Sequence, residues 1–176
     1  MGETVLDVDM LAFEAGGKAD RDAVVNGVMR SLETGFVYTS HDMSQDFLDE
    51  VYGMLDLFFN LSTELKSTAT ADGTHGQRGY TGLLVETAAI SDVPDWKEML
   101  NWGKDLSQGH PLKTRYPHRF LDNTFPEDLV PGITETLESF HSQVLDLQLR
   151  FLRIIATGLE ASESFFDSIV PGGANL

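Results

Sequence analysis

From about Ile133 to Leu159, Leu137, Phe140, Val144, Leu147, Phe151, Ile154 and Ile155 recur at helical spacing and draw one broad apolar stripe. A helix this long, apolar on one side only, demands a large surface to cover it. A second stripe, Phe47, Leu48, Val51, Leu55, Phe58 and Phe59, follows Ser44, a plausible N-cap. Any fold for this chain has to bury both.

The strands on offer are few and short. Thr4 to Asp9 alternates weakly and is β-branched, which predicts a short strand before the Gly16-Gly17 break. From Asp20 to Glu33, Val24, Val25, Val28, Met29 and Leu32 predict an amphipathic helix, with Gly35 where it would stop. Gly35 to Thr39, aromatic and β-branched, predicts a buried strand. Asn60 to Lys66 is the exit of the second helix, Ser67 to Gln77 a mobile loop, and Arg78 to Thr81 the start of a strand. Trp96 to Trp102, bounded by Pro94 and Gly103, predicts a strand with Trp96, Glu98, Leu100 and Trp102 on one face. Lys104 to Pro131 holds four of the six prolines and should be extended loop. The end, Glu163 to Leu176, passes from a helical turn into a Gly-rich corner and reads as interrupted.

Composition removes whole classes of function. The chain has 176 residues, 41% hydrophobic, enough for a core, and a formal net charge of -16, which opposes nucleic acid and anionic membrane surfaces alike. No run reaches the roughly 18 to 20 apolar residues of a membrane span, and Met1 to Asp7 lacks the basic start and apolar core of a signal peptide. A cytoplasmic location is the expectation. With no cysteine, any metal must sit on His, Asp or Glu. Serine-hydrolase elbow, phosphate loop and zinc-helix motifs are lacking, and Asp46 with Glu50 reads as a solvated acidic surface.

His41-Asp42 looks like half of a metal site. Non-haem iron oxygenases hold Fe(II) on two His and one carboxylate, but no His here has Asp or Glu two residues later: His41, His75, His110, His118 and His141 all fail. No catalytic residue and no metal ligand is assigned. His41 is expected at a strand end, satisfying backbone groups or capping the next helix.

Gly35-Phe-Val-Tyr-Thr-Ser-His41 resembles the "GFF-x-x-x-x-H" stretch of the isopenicillin N synthase-like, Fe(II)- and 2-oxoglutarate-dependent dioxygenases. Leu61 to Lys66 resembles that family's "LP-x-E-x-K" helix exit, Arg78-Gly-Tyr80 its "GY" strand, Asp95 to Glu98 with Gly103 its "D-x-K-E" strand, and Leu159 to Asp167 its "GL-x-x-x-x-FF" turn. The order is the family's across nearly the whole chain. One departure is Asp42, where the family usually has Gly, so the turn into the next helix is expected to differ.

The resemblance implies an α+β, helix-rich N-terminal region with a few short strands, normally packed on a double-stranded β-helix (jelly roll) that carries the chemistry. That jelly roll is expected to begin near residue 172 and to be missing from residues 1–176. Fe(II) and 2-oxoglutarate would then bind outside this chain, and the whole enzyme would hydroxylate, desaturate or cyclise a small molecule of secondary metabolism. The resemblance also implies that His41 is not an iron ligand.

Arg78 is the leading substrate-binding candidate, since an arginine fork matches a carboxylate, and in the penicillin- and cephalosporin-forming branch an arginine in this region contacts substrate. The alternative is a surface ion pair. Tyr80 and Asn101 are further candidates because the family's corresponding strands lie at the jelly-roll mouth; Tyr80 equally suits a core aromatic and Asn101 a solvent-facing side chain. The partners expected are a small, carboxylate-bearing substrate and the chain's own or a separate jelly roll. The other function class is a stand-alone, non-catalytic domain that binds a partner through its apolar stripes, left exposed without one.

Overall fold

The computed structural model describes residues 5–74, 76–90 and 92–170. These form two compact units, one from residues 5–44 and 142–170, the other from residues 45–141.

In the first unit, β1 (Leu6–Val8) lies parallel to β2 (Val37–Thr39), with Leu6 opposite Val37 and Val8 opposite Thr39. Parallel neighbours need a crossover, and α1 (Met10–Ala15) and α2 (Lys18–Ser31) supply it. Helix α2 starts where Gly17 N–H donates to the Asp20 carboxylate at 2.9 Å, and Gly35 (φ 75°) turns the chain into β2. Val8, Met10, Phe13, Val24, Val28 and Ile154 make the core of this unit.

The expectation of a buried strand over Gly35 to Thr39 needs correction. Only Val37–Thr39 is strand, and Phe36 (70%) and Tyr38 (67%) are exposed. A strand with one neighbour and one covered face turns alternate residues outward, and here these include an aromatic. Helix α1 was not expected, because six residues are too few to display a helical period.

In the second unit, α3 (Gln45–Phe59) begins directly after Ser44 and buries Val51 and Phe58. These pack with Ala69, Tyr80, Leu100, Val130, Ile133 and Leu137, while Phe47 meets Phe140 with ring centroids 6.5 Å apart. Helix α4 (Thr63–Ser67) occupies the expected helix exit, and the Ser62 hydroxyl accepts from Leu65 N–H at its start. β3 (Gly79–Thr81) and β4 (Met99–Asn101) pair antiparallel, with Tyr80 opposite Leu100 and Thr81 opposite Met99. Thr70 bridges to Gly79, so the segment read as a loop makes a strand contact near its start.

Gly79 has φ 73°, and a Cβ there would stand 2.4 Å from the Ala69 carbonyl oxygen, so both conformation and space require glycine. The strand expected over Trp96 to Trp102 is only Met99–Asn101; of the four residues expected on one face, Leu100 and Trp102 both pack at the core, and the Trp102 indole donates to the Leu137 carbonyl at 3.1 Å. Trp96 does not join them; it precedes β4 and is 78% exposed. The proline-rich stretch is loop and turn apart from the short α5 (Pro111–Arg115).

Helix α6 (Ile133–Gly158) realises the long stripe within a residue of its expected ends. Its residues up to His141 belong to the second unit and the rest to the first. Ile133, Leu137 and Ile154 are buried, while Val144 is more exposed. The Gly-rich corner beyond Val170 lies outside the described residues.

Candidate functional site

The second unit holds a cleft of about 560 Å³ whose lining includes Thr63, Thr70, Arg78, Tyr80, Thr81 and Glu98. β3 and β4 furnish one side of it, and α4 contributes Thr63 and Ser67.

A partly buried charged network stands at this cleft. Lys66 Nζ lies 2.6 Å from Glu98 Oε1 and donates to the Phe59 carbonyl at 3.0 Å, with its side chain 6% exposed. The Tyr80 hydroxyl donates to the same Glu98 oxygen. The Lys66 ammonium, aided by the tyrosine hydroxyl, holds the Glu98 carboxyl below its ordinary range. Burial first, then the Glu98 carboxylate, pushes the Tyr80 phenol up to about 12, so it remains a neutral donor.

Arg78 is 3% exposed. Its Nη1 donates to the Gln77 carbonyl at 2.7 Å, and its Nε–H has no partner among the described residues. Burial draws its pKa down, with the Asp105 carboxylate opposing. No carboxylate among the described residues comes within ion-pair distance, so the surface ion pair weighed above is not what holds it. His141 is pulled down by burial, then by the positive charges of Arg78 and Lys104. Of the other lining charges, Glu86 pairs with Lys97 at 2.5 Å and Glu98 with Lys66.

Of the three substrate-binding candidates, Arg78 and Tyr80 line the cleft. Asn101 is not a lining residue; its Nδ2 donates to the carbonyl of Gly76, which does line the cleft, at 2.6 Å. Thr81 and the Lys66–Glu98 pair were not singled out by sequence reasoning. Lys66 and Glu98 each lay in a quoted motif, but nothing in either motif shows that the two meet.

His41 follows β2, exposed, and makes no hydrogen bond among the described residues, so the expected backbone or capping role is not observed. Its neighbour Asp42 instead receives Arg150 Nη1 at 2.8 and 3.0 Å, in a clamp whose other arm is Glu14 at 2.7 Å. Among the described residues no three His, Asp or Glu side chains converge as an iron site requires, so these residues do not fit a metal centre.

Residues 5–128 match the family described as non-haem dioxygenase in morphine synthesis N-terminal, and the chain belongs to that family. Azadirone synthase of Melia azedarach is 29% identical over 77% of this chain and 40% of its own length. A 2-oxoglutarate-Fe(II) type oxidoreductase of Emericella nidulans is 25% identical over 94% of this chain and 49% of its own. Among solved structures, a 2OG-Fe(II) oxygenase family protein of Caulobacter crescentus superposes with a TM-score of 0.80 at 26% identity, over 98% of this chain and 54% of that one. A full-length Neurospora crassa protein in complex with alpha-KG gives 0.75 at 25% identity, over 96% of this chain and 52% of that one. The chain thus spans about half the length, or less, of these relatives. No helix among the described residues is long and apolar enough to cross a membrane.

Proposed function

We propose that this chain is the N-terminal part of an Fe(II)- and 2-oxoglutarate-dependent oxygenase that hydroxylates, desaturates or cyclises a small metabolite. The catalytic jelly roll follows from about residue 172, and the ligands for iron and 2-oxoglutarate belong to it. The observation that carries this reading is the likeness to a 2OG-Fe(II) oxygenase family protein over 98% of this chain but 54% of that protein. Arg78 and Tyr80 bind substrate, and Asn101 supports them through its bond to the Gly76 carbonyl. Positioning of this kind decides which C–H bond meets the oxidant.

The test starts from the intact mass of the native gene product, compared with 19.5 kDa. A heavier product that consumes 2-oxoglutarate in the presence of Fe(II), while the 176-residue chain does not, is the expected result. A heavier product that neither binds nor turns over 2-oxoglutarate overturns it.

A second reading, a stand-alone interaction domain, is favoured by one observation: Leu83, Val85, Ile90, Val93 and Trp96 are all exposed in one stretch of chain. A native product of 19.5 kDa that is a well-folded partner-bound protein would support it.

A further inference from the structure

Glu98 gives only half of its carboxylate to the network around it. Lys66 Nζ, 2.6 Å away, and the Tyr80 hydroxyl both converge on Oε1. No donor among the described residues reaches Oε2. Nor is that oxygen closed off. The buried side-chain atoms without a partner among the described residues are Arg78 Nε and Thr81 Oγ1, whereas the Glu98 side chain keeps 21% exposure and lines the cleft. Two donors on one oxygen orient the carboxylate, so the other oxygen is presented in a set direction. An acceptor fixed in advance spares a ligand part of the cost of ordering it.

The charges nearby decide what kind of donor fits. Glu98 is neutralised by Lys66, and Glu86, the other carboxylate of the lining, by Lys97 at 2.5 Å. A cation would meet no surplus negative charge there, and an anionic group would be repelled by Oε2 itself. A neutral N–H or O–H donor meets neither obstacle, and its bond to an ionised oxygen is of the stronger, charge-assisted kind. The Lys66 ammonium keeps Glu98 ionised, and Leu83, Val85 and Met99 give the same lining apolar surface.

We propose that Glu98 Oε2 is a ligand-binding acceptor, which takes the N–H or O–H donor of a small neutral molecule whose apolar part rests on Leu83, Val85 and Met99. No covalent bond is made or broken. The proposal rests on the reading of this cleft as the substrate side, and it adds to that reading a binding residue and the class of group it recognises.

The probes are benzyl alcohol and benzyl methyl ether, alike except that the ether lacks the donor, each titrated into the full native gene product without 2-oxoglutarate and followed by ligand-observed NMR. The alcohol should bind about tenfold more tightly, the worth of one hydrogen bond to a charged group. In Glu98→Gln the amide oxygen keeps the Lys66 and Tyr80 donors and the amide N–H turns to the cleft, so the preference should vanish or reverse toward the ether. Crystals of the unsubstituted protein soaked in benzyl alcohol should show its hydroxyl within hydrogen-bond distance of Glu98 Oε2, a check that stands even where the variant does not fold. Equal binding of the two probes, a preference for the alcohol that survives in a folded Glu98→Gln, or an alcohol seated away from Oε2 overturns the acceptor. The oxygenase reading fails separately, through absence of 2-oxoglutarate turnover, which none of these binding measurements uses.

Discussion

Lys66 and Arg150 are both cations held by more than one oxygen, yet the two units place them differently. Lys66 in the second unit is buried and its acceptor Glu98 partly so, whereas Arg150 in the first is gripped by Glu14 and Asp42, both open to solvent. The strength of the hold differs little in distance; what differs is the fate of the partner when the cation is removed. A carboxylate left in solvent rehydrates fully, but one left half-enclosed does so only in part.

That contrast fails if Lys66→Met proves as mild as Arg150→Gln. Lys66→Met should be the largest effect, about 2–3 kcal/mol in urea denaturation, at or below the low end for a broken buried pair because Glu98 keeps some access to water. The double variant Lys66→Met/Glu98→Gln should recover part of it. Arg150→Gln should cost about 1 kcal/mol, and the loss should shrink in concentrated salt. Amide exchange should place the first loss in the second unit and the other in the first.

A subtler difference lies in pH. The folded chain holds His141 below its ordinary 6.5, so the unfolded chain binds more protons between the two values and stability falls as pH drops below about 6.5. His141→Gln should flatten that part of the stability profile. The smallest change should come from Asp42→Asn, since this carboxylate is exposed and Glu14 still holds Arg150; unfolding midpoints with and without salt would check it.

Long-period features were legible in the sequence and pairwise ones were not. The stripes of α3 and α6 repeat over several turns, so their extents were read to within a residue or two. Helices α1, α4 and α5, of five or six residues each, are too short to declare a period. Trp96 was misplaced because alternation says which residues share a face but not where pairing begins. At the site, Arg78 and Tyr80 were legible from their place beside a Gly-Tyr strand start. The Lys66–Glu98 pair and the Thr81 hydroxyl depend on how α4 and the β3–β4 hairpin come together, and no local pattern encodes that.

The placement of the two tryptophans has an optical consequence. Trp96 stands in water while Trp102 is partly buried, its indole N–H bound to the backbone of α6. Fluorescence from this chain should therefore be a sum of two populations, a red-shifted one that acrylamide quenches freely and a bluer one it reaches slowly. Trp96→Phe would strip away the first and leave an emission that reports the hold of β4 on the long helix, an internal gauge supplied by the protein itself.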